Sequence, residues 1–257
     1  EQPIDFPQLH ISLDAANVLL SKTGFSISDC QTKIDEKKKP LSMNLTTKAQ
    51  VEVNALYEKN ARTMNVIAMI EGSDSMLKEE YVIVGAHLDH VGSQAGLLFP
   101  GANDNASGSA AVLEIAKAFV KGGIQPKRSI IFVLFASEEQ GLNGAKHFVE
   151  NWKRGYDKIA AMINLDCVGY GDSIQVGNGK SAPNLWEIAN EIDETSFNSM
   201  VERTWNGGGA DATPFHEKGV PCLYFVTTNS YDHLHLPTDK VETLNPMKNK
   251  KVVRLAH

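Results

Sequence analysis

The chain has 257 residues, of which 42% are hydrophobic and 22% are charged, and its formal net charge is −6 at pH 7. This composition is typical of a globular protein and excludes disordered, fibrous and coiled-coil chains. No apolar run approaches the roughly 20 residues of a membrane span, and no basic face is present that would favour nucleic-acid binding.

The beginning of the chain predicts an N-terminal segment, residues 1–40, followed by the main domain, residues 41–257. A polar stretch with three successive lysines, residues 33–40, predicts the loop between them. Because the chain starts at Glu1 without an initiator methionine or an apolar leader, we expect a processed N-terminus. The three cysteines are too few for a disulfide framework.

The first predicted elements are short. Residues 9–11 predict a strand, and Ser12 is placed to cap a helix that runs to Leu20. Apolar residues alternate over positions 43–53, which is typical of a half-buried strand, and residues 65–70 predict another.

From residue 81 onward, the pattern changes to buried strands that alternate with helices. The run 81–86 is continuously apolar, as in a strand buried on both faces. Apolar residues spaced three and four apart over 112–120 predict a helix. Further strands are predicted at 129–136, 159–165 and 222–226, and further helices at 142–152, 185–192 and from 245. The predicted fold class is therefore α/β, a three-layer sandwich with a mainly parallel, mixed central sheet flanked by helices.

Side chains that can bind metal ions follow these strands at their carboxyl ends, where open α/β sheets gather their ligands. They are His87, Asp89, Asp104, Glu138, Glu139, Asp166 and His235. Zinc accepts histidine nitrogen and carboxylate oxygen, and two nearby ions can act on one substrate. The residue types predict a two-metal centre with five ligands, which are His87, Asp104, Glu139, Asp166 and His235.

Two acidic residues remain beside these ligands. Glu138 precedes Glu139, and a carboxylate there can take a proton from a water molecule and pass it to a leaving amine. Asp89 lies two residues from His87, so on an extended chain both side chains point to the same side. Asp89 could then fix the orientation of the histidine ring.

Each residue alone also has an ordinary interpretation. A His-x-Asp triplet is commonly a surface hydrogen bond, a Glu-Glu pair is commonly solvated, and Asp104 could cap a helix. Asp166 is harder to explain in this way, because an unpaired buried carboxylate is costly. His233 is the main rival ligand, while three other histidines are interpreted as structural or surface residues. These three are His90, His147 and His216.

The order and surroundings of these residues resemble metallopeptidase family twenty-eight, the co-catalytic zinc aminopeptidases. The resemblance covers most of residues 81–245 and has the same order as in the family. The matching segments are GAHLDHVG (85–92), GANDNASGSAAVLEIAKAF (101–119), RSIIFVLFASEEQGLNGAKHF (128–148), MINLDCVGYG (162–171), GADATPFHEKGVPCLYF (209–225) and HLPTDKVETL (235–244).

The resemblance implies a zinc-exopeptidase-like fold, two Zn²⁺ ions and a role for each residue. Asp104 would bridge the ions, with His87 and Asp166 completing one site. Glu139 and His235 would complete the other site. The resemblance also implies that Glu138 is the general acid/base, that Asp89 orients His87 and that the peptide bond Asp104–Asn105 is cis.

Outside the metal ligands the resemblance is less complete. Where the family often has Ser-Asp-His, this chain has Ala-Asp-Ala at 210–212. The candidate substrate-binding residues are Cys167, Asp211, Phe225 and Tyr231. Residues 5–20 resemble the end of a protease-associated domain, and the last helix is shorter than is usual in the family. Family members are commonly exported, so we expect a periplasmic or secreted location.

The leading functional hypothesis is a di-zinc exopeptidase that uses metal-activated water to hydrolyse peptides. Among exopeptidases, the leading hypothesis is an aminopeptidase. Alternatives on the same scaffold are carboxypeptidase or dipeptidase activity and a glutaminyl-cyclase-like zinc acyltransferase. Metallopeptidase family twenty shares a His-x-Asp and a Glu-Glu pair, but residues 166–235 are too few for its dimerisation domain. A non-catalytic receptor ectodomain of the transferrin-receptor sort would lack a full ligand set. The oligomeric state is open.

Overall fold

The structure is a computed structural model that describes residues 9, 11–52, 58, 60–94 and 96–257. Contacts divide the chain into two compact units, Glu1–Ala61 and Arg62–His257. The division predicted at residue 40 stays a prediction. Among the described residues, no helix is both long and apolar enough to cross a membrane.

The described residues of the first unit form two helices, α1 (Leu13–Leu20) and α2 (Ile27–Lys37). The predicted cap is confirmed, since the Ser12 side chain accepts a hydrogen bond from the backbone N–H of Ala15. The loop predicted at 33–40 is wrong over residues 33–37, which continue α2. A capping box between Ser26 and Asp29 starts this helix, and such a box stabilises a first turn even when the rest is polar.

The two early strand predictions are not supported by the described residues. Residues 9 and 11 have no strand conformation, and neither do residues 43–52. The remaining positions of these predictions, 10 and 53, lie outside the described residues. Alternation of apolar residues is only a local signal, and a strand also needs a partner with which to pair.

The second unit is built around a mixed six-stranded sheet. Its elements in chain order are β1 (Val66–Ile70), β2 (Tyr81–His87), β3 (Ser93–Gln94), β4 (Leu97–Leu98), α3 (Gly108–Gly122), β5 (Ser129–Phe135), α4 (Asn143–Asn151), β6 (Ile159–Leu165), β7 (Ile174–Gly177), α5 (Pro183–Ser196), α6 (Thr213–His216), β8 (Cys222–Thr227) and α7 (Pro246–Ala256). The strand order is β1-β5-β2-β6-β8-β7, with β3 and β4 forming a separate pair. The four central strands are parallel and both edge strands are antiparallel.

A hydrophobic core lies on each face of this sheet, which confirms the predicted three-layer α/β fold. On one face, buried residues of α3, α5 and α7 pack against the sheet. On the other face, α4 and α6 supply the packing. Parallel strands with both faces covered must be apolar throughout, which is why β2 and β5 are continuous apolar runs.

Phe135 anchors the second core and carries a stability prediction. Its side chain is fully buried, and its ring contacts the rings of Phe148 and Phe215 with centroids 6.0 and 6.1 Å apart. Phe135→Ala should lower the free energy of unfolding by about 3–5 kcal/mol, because it removes buried area and leaves a cavity. Urea unfolding measures this loss. Leu113→Ala, on the exposed face of α3, is the control and should cost far less.

Candidate metal centre

Residues from separate parts of the chain meet at the carboxyl edge of the sheet. Because β2, β5, β6 and β8 are parallel, their carboxyl ends lie on one edge. His87 ends β2, the pair Glu138–Glu139 follows β5, and Asp166 follows β6. Asp104 comes from the turn before α3 and His235 from the loop after β8. The five predicted metal ligands are thus brought together.

One group of potential ligands surrounds His87, which is 1% exposed. The His87 Nε2 atom lies 3.2 Å from Asp104 Oδ1 and 3.5 Å from Asp166 Oδ1. One ligand atom from each of these three residues lies within 4.8 Å of the others. The opposite nitrogen of the ring, Nδ1, lies 3.0 Å from the backbone carbonyl oxygen of Asp89, which fixes the ring orientation.

A second group uses the other oxygen of Asp104. His235 Nε2 lies 3.2 Å from Asp104 Oδ2 and 3.0 Å from Glu139 Oε2. This group also includes His90, whose Nδ1 atom lies 2.8 Å from Glu139 Oε1. Both groups share Asp104, one oxygen on each side, which is the arrangement a bridging carboxylate requires. His235 is about half exposed, so the second group is open to solvent.

The charges and unpaired atoms of these groups fit divalent metal ions. Glu139 Oε1 and Asp166 Oδ1 are buried without a hydrogen-bond partner, and buried carboxylates need a compensating charge. Burial lowers the pKa of His87, but the carboxylates of Asp104 and Asp166 outweigh it and raise the pKa to about 12. The site therefore strongly favours a cation. Mixed nitrogen and carboxylate ligands are the set that zinc accepts.

Glu138 lies beside the two groups without belonging to either. Burial raises its pKa to about 7, and nearby Asp166 and Glu139 contribute in the same direction. The Asp89 carboxylate accepts hydrogen bonds from the backbone N–H groups of Glu138 and Glu139, at 3.0 and 3.3 Å. Its distance to His87 Nδ1 is 3.9 Å. The carboxylate of Asp89 therefore holds the Glu138–Glu139 turn, while its backbone carbonyl contacts the histidine.

The turn around Asp104 is fixed by its neighbours. The peptide bond Asp104–Asn105 is cis, as the sequence resemblance implies. Asn105 donates a hydrogen bond to the carbonyl of Leu165 at 3.0 Å and accepts one from the N–H of Gly108 at 2.9 Å. A Cβ atom at Gly108 would lie 2.2 Å from the Leu165 oxygen, so only glycine permits this close approach.

Sequence reasoning missed Asp239, which supports the same turn from the loop after β8. Its carboxylate is 1% exposed and accepts hydrogen bonds from the backbone N–H groups of Asn103 and Asp104, at 2.8 and 3.0 Å. Its backbone carbonyl accepts a third from Ala102 at 3.3 Å. An aspartate in a polar loop gives no sign of this role in the sequence, because its partners lie more than 130 residues away.

The sequence match to known proteins now agrees with this geometry. The model of peptidase family M28 matches residues 65–257, which includes every residue of the two groups. The chain belongs to peptidase family M28. Its elements from β1 to α7 constitute the matched region.

Individual relatives of this M28 chain are named as aminopeptidases. A probable leucine aminopeptidase of Arthroderma benhamiae is 30% identical over 186 residues, which cover 69% of this chain and 52% of the relative. A zinc aminopeptidase from Bacillus subtilis has a similar structure, with a TM-score of 0.64 and 27% identity, over 75% of this chain and 48% of that one. The chain thus spans about half the length of these relatives.

The same fold also occurs in a glutaminyl cyclase. A structure of this enzyme from an Acidobacteriales bacterium has a TM-score of 0.63 at 19% identity, over 75% of this chain and 70% of that one. At this identity the likeness concerns the fold alone.

The other histidines of the M28 domain separate into two kinds. His233, the predicted rival ligand, lies outside both groups, and its Nδ1 atom is 2.9 Å from the hydroxyl of Thr238. His147 and His216 likewise lie outside both groups. His90 differs from the expectation for a structural or surface residue, because its side chain is 9% exposed and belongs to the second group. One signal for it is visible in the sequence, namely its position three residues after His87.

The predicted substrate-binding residues differ in their exposure. Phe225 is 1% exposed and packs in the core beneath α3 and α7, so it is not placed to contact a substrate. Cys167 is buried in a small cluster with Tyr224. Asp211 is fully buried with both oxygens unpartnered, and burial raises its pKa well above the usual range. Tyr231, which is 54% exposed, is the accessible residue of the four.

Proposed function

We propose that the chain is the catalytic domain of a di-zinc exopeptidase, and that this exopeptidase is an aminopeptidase. The observation that carries this proposal is the sharing of Asp104 between two groups of ligand atoms, with an additional carboxylate, Glu138, beside them. Family membership and the names of the relatives support it. Peptides or peptide-like molecules are the proposed substrates.

In this proposal His87 and Asp166 would hold one Zn²⁺ ion, and Glu139 and His235 the other, with Asp104 between them. When bound, the two ions would polarise the scissile carbonyl and make a water molecule more acidic. Glu138 takes the proton of the attacking water and delivers it to the leaving amine. Asp89 keeps Glu138 in place through the backbone hydrogen bonds of its turn.

A cavity that includes Trp205 in its lining supports a preference for apolar side chains. Its volume is about 530 Å³, and its lining combines the apolar and aromatic side chains of Trp205, Val226 and Tyr231 with polar residues such as Arg203. The Trp205 ring packs against Tyr224, whose hydroxyl donates a hydrogen bond to Asp166 at 3.3 Å. Trp205 thus connects the cavity to the proposed metal ligand Asp166 through Tyr224, and we propose that the cavity receives the side chain of the substrate.

One substrate screen tests the proposed function against its alternatives. We expect hydrolysis of aminoacyl substrates with leucine or phenylalanine, loss of activity with a chelator and recovery with zinc. Release of pyroglutamate from a peptide with N-terminal glutamine would instead indicate the cyclase. Cleavage restricted to blocked or two-residue peptides would indicate a carboxypeptidase or a dipeptidase. Absence of zinc binding would support a non-catalytic domain. We also propose a periplasmic or secreted location, which cell fractionation tests separately.

The hydrogen bonds between Asp239 and the Asp104 turn can be tested by substitution of Asp239. Asp239→Ala should weaken zinc binding roughly 10- to 100-fold, because two backbone N–H groups beside Asp104 lose their acceptor. Competition with a chelator measures the zinc affinity. Asp232→Ala, on the exposed part of the same loop, is the matched control and should leave affinity unchanged. Equal affinity in the Asp239 variant and the wild type would show that the turn needs no such support.

A further inference from the structure

We propose that His90 is an additional metal ligand in the group formed by Asp104, Glu139 and His235. This inference rests on the proposed two-zinc function and goes beyond the five ligands that the sequence resemblance implies. The second group would then have two imidazoles and two carboxylates, whereas the first keeps one imidazole and two carboxylates.

The first argument is that the His90 ring is buried and has unsatisfied nitrogens. The side chain is 9% exposed, and neither Nδ1 nor Nε2 has a hydrogen-bond partner. Buried polar groups in proteins are nearly always paired with another group, with water or with an ion. The His90 ring therefore has ion-pair contacts with carboxylates but no hydrogen bond on either nitrogen.

The distances around His90 fit a metal ion held jointly with the other three residues. The His90 Nδ1 atom lies 2.8 Å from Glu139 Oε1 and 3.7 Å from Asp104 Oδ2. Although the first distance is that of a hydrogen bond, both atoms remain without a partner because the pair lies outside hydrogen-bond geometry. Two ligand atoms that touch without sharing a proton are the arrangement expected around a common cation.

The backbone holds the His90 ring in this position. Gly101 lies beneath it with φ +66°, and a Cβ atom there would lie 2.5 Å from His90 Cγ. On the other side, the ring meets that of His235 edge to face, with centroids 5.5 Å apart. The ring is therefore confined between the Asp104 turn and the second histidine, with Nδ1 on the side of Glu139 and Asp104.

The additional ligand would make the two metal positions unequal. Four protein ligands complete a tetrahedral zinc site, whereas three leave the open position that catalytic zinc sites keep. The group around His87 would thus be the open one, and the group with His90 the filled one. Nitrogen ligands also favour zinc over magnesium or manganese, so the filled position should bind zinc first.

Nitrogen NMR of the full chain, labelled with ¹⁵N-histidine and titrated with zinc, tests this inference. We expect the ring nitrogens of three histidines, His87, His90 and His235, to shift as zinc binds and then to become insensitive to pH. His90→Ala should lose one of the three signals and weaken the tighter zinc site at least tenfold. His233→Ala, which alters a histidine outside both groups, should retain all three shifts and both zinc sites.

Each result decides the question. Two bound zinc ions with only His87 and His235 shifted, and a His90 Nδ1 that still carries a proton, would overturn the inference and leave the proposed function intact. Zinc affinity in His90→Ala equal to that of the wild type would also overturn it. Failure of the wild type to bind two zinc ions would overturn both proposals.

Discussion

Glu138→Gln should retain both zinc ions and lower kcat roughly 100-fold or more. Glutamine has the shape of glutamate but cannot accept a proton from the attacking water. Glu138 belongs to neither group of ligand atoms, so metal binding should not depend on its charge. Burial and neighbouring carboxylates raise its pKa to about 7. Its ionised form is therefore disfavoured in the fold, and a neutral amide should not destabilise the protein.

Steady-state kinetics on a leucine substrate, combined with elemental analysis of the same sample, measures both parts of this prediction. Glu150→Gln makes the same chemical change on the exposed face of α4 and should leave kcat unchanged. Turnover near that of the wild type in the Glu138 variant would remove this residue from the mechanism. Loss of zinc together with activity would instead assign Glu138 to metal binding.

Asp104→Ala should reduce zinc binding below two ions per chain and abolish activity. Its two oxygens lie 3.2 Å from His87 Nε2 and 3.2 Å from His235 Nε2, so both metal positions lose a ligand at once. The fold itself should survive in the metal-free state, because the change removes one of several carboxylates that repel each other. Asp104→Asn keeps the shape of the side chain and should still weaken both sites.

The zinc dependence of the melting temperature measures this loss independently of activity. A ligand at 100 times its dissociation constant stabilises a protein by about 2.7 kcal/mol, so zinc should raise the Tm of the wild type and of the control Asp157→Ala. The Asp104 variants should show little of this rise, while far-UV circular dichroism confirms that they are folded. Two zinc ions retained by Asp104→Ala would contradict the bridging role.

The sequence alone predicted the central strands because the pattern that marks them, a continuous run of apolar residues, lies within each strand. Residues 159–165 form a strand with the predicted bounds, and the predicted strand at 129–136 ends one residue earlier than expected. The continuous apolar run that a doubly covered parallel strand requires is readable without any partner. The same reasoning missed β7, a four-residue antiparallel edge strand, because its pairing with β8 is a tertiary contact.

Which face a side chain occupies was decided only by the tertiary structure. Tyr224 and Phe225 are neighbours on β8, yet Tyr224 faces the small cluster beside Asp166, while Phe225 packs in the main core. Alternate residues of a strand point to opposite faces, but an unbroken apolar run does not show which face is which. For that reason the sequence did not show that Phe225 is buried in the core, which gives no support to its predicted contact with a substrate.

The sequence alone determined the family, through motifs in a specific order, and predicted the set of five candidate ligands. The acidic residues and histidines at the ends of apolar strands were recognisable because such groups are costly to bury unless they are paired. The tertiary structure showed that His90 lies in one of the two groups and that Asp239 supports the Asp104 turn. These two side chains reach the centre through loops whose paths depend on contacts distant in the sequence, such as Asp239 with Asn103 and His90 with Gly101. Local patterns contain no information on such contacts.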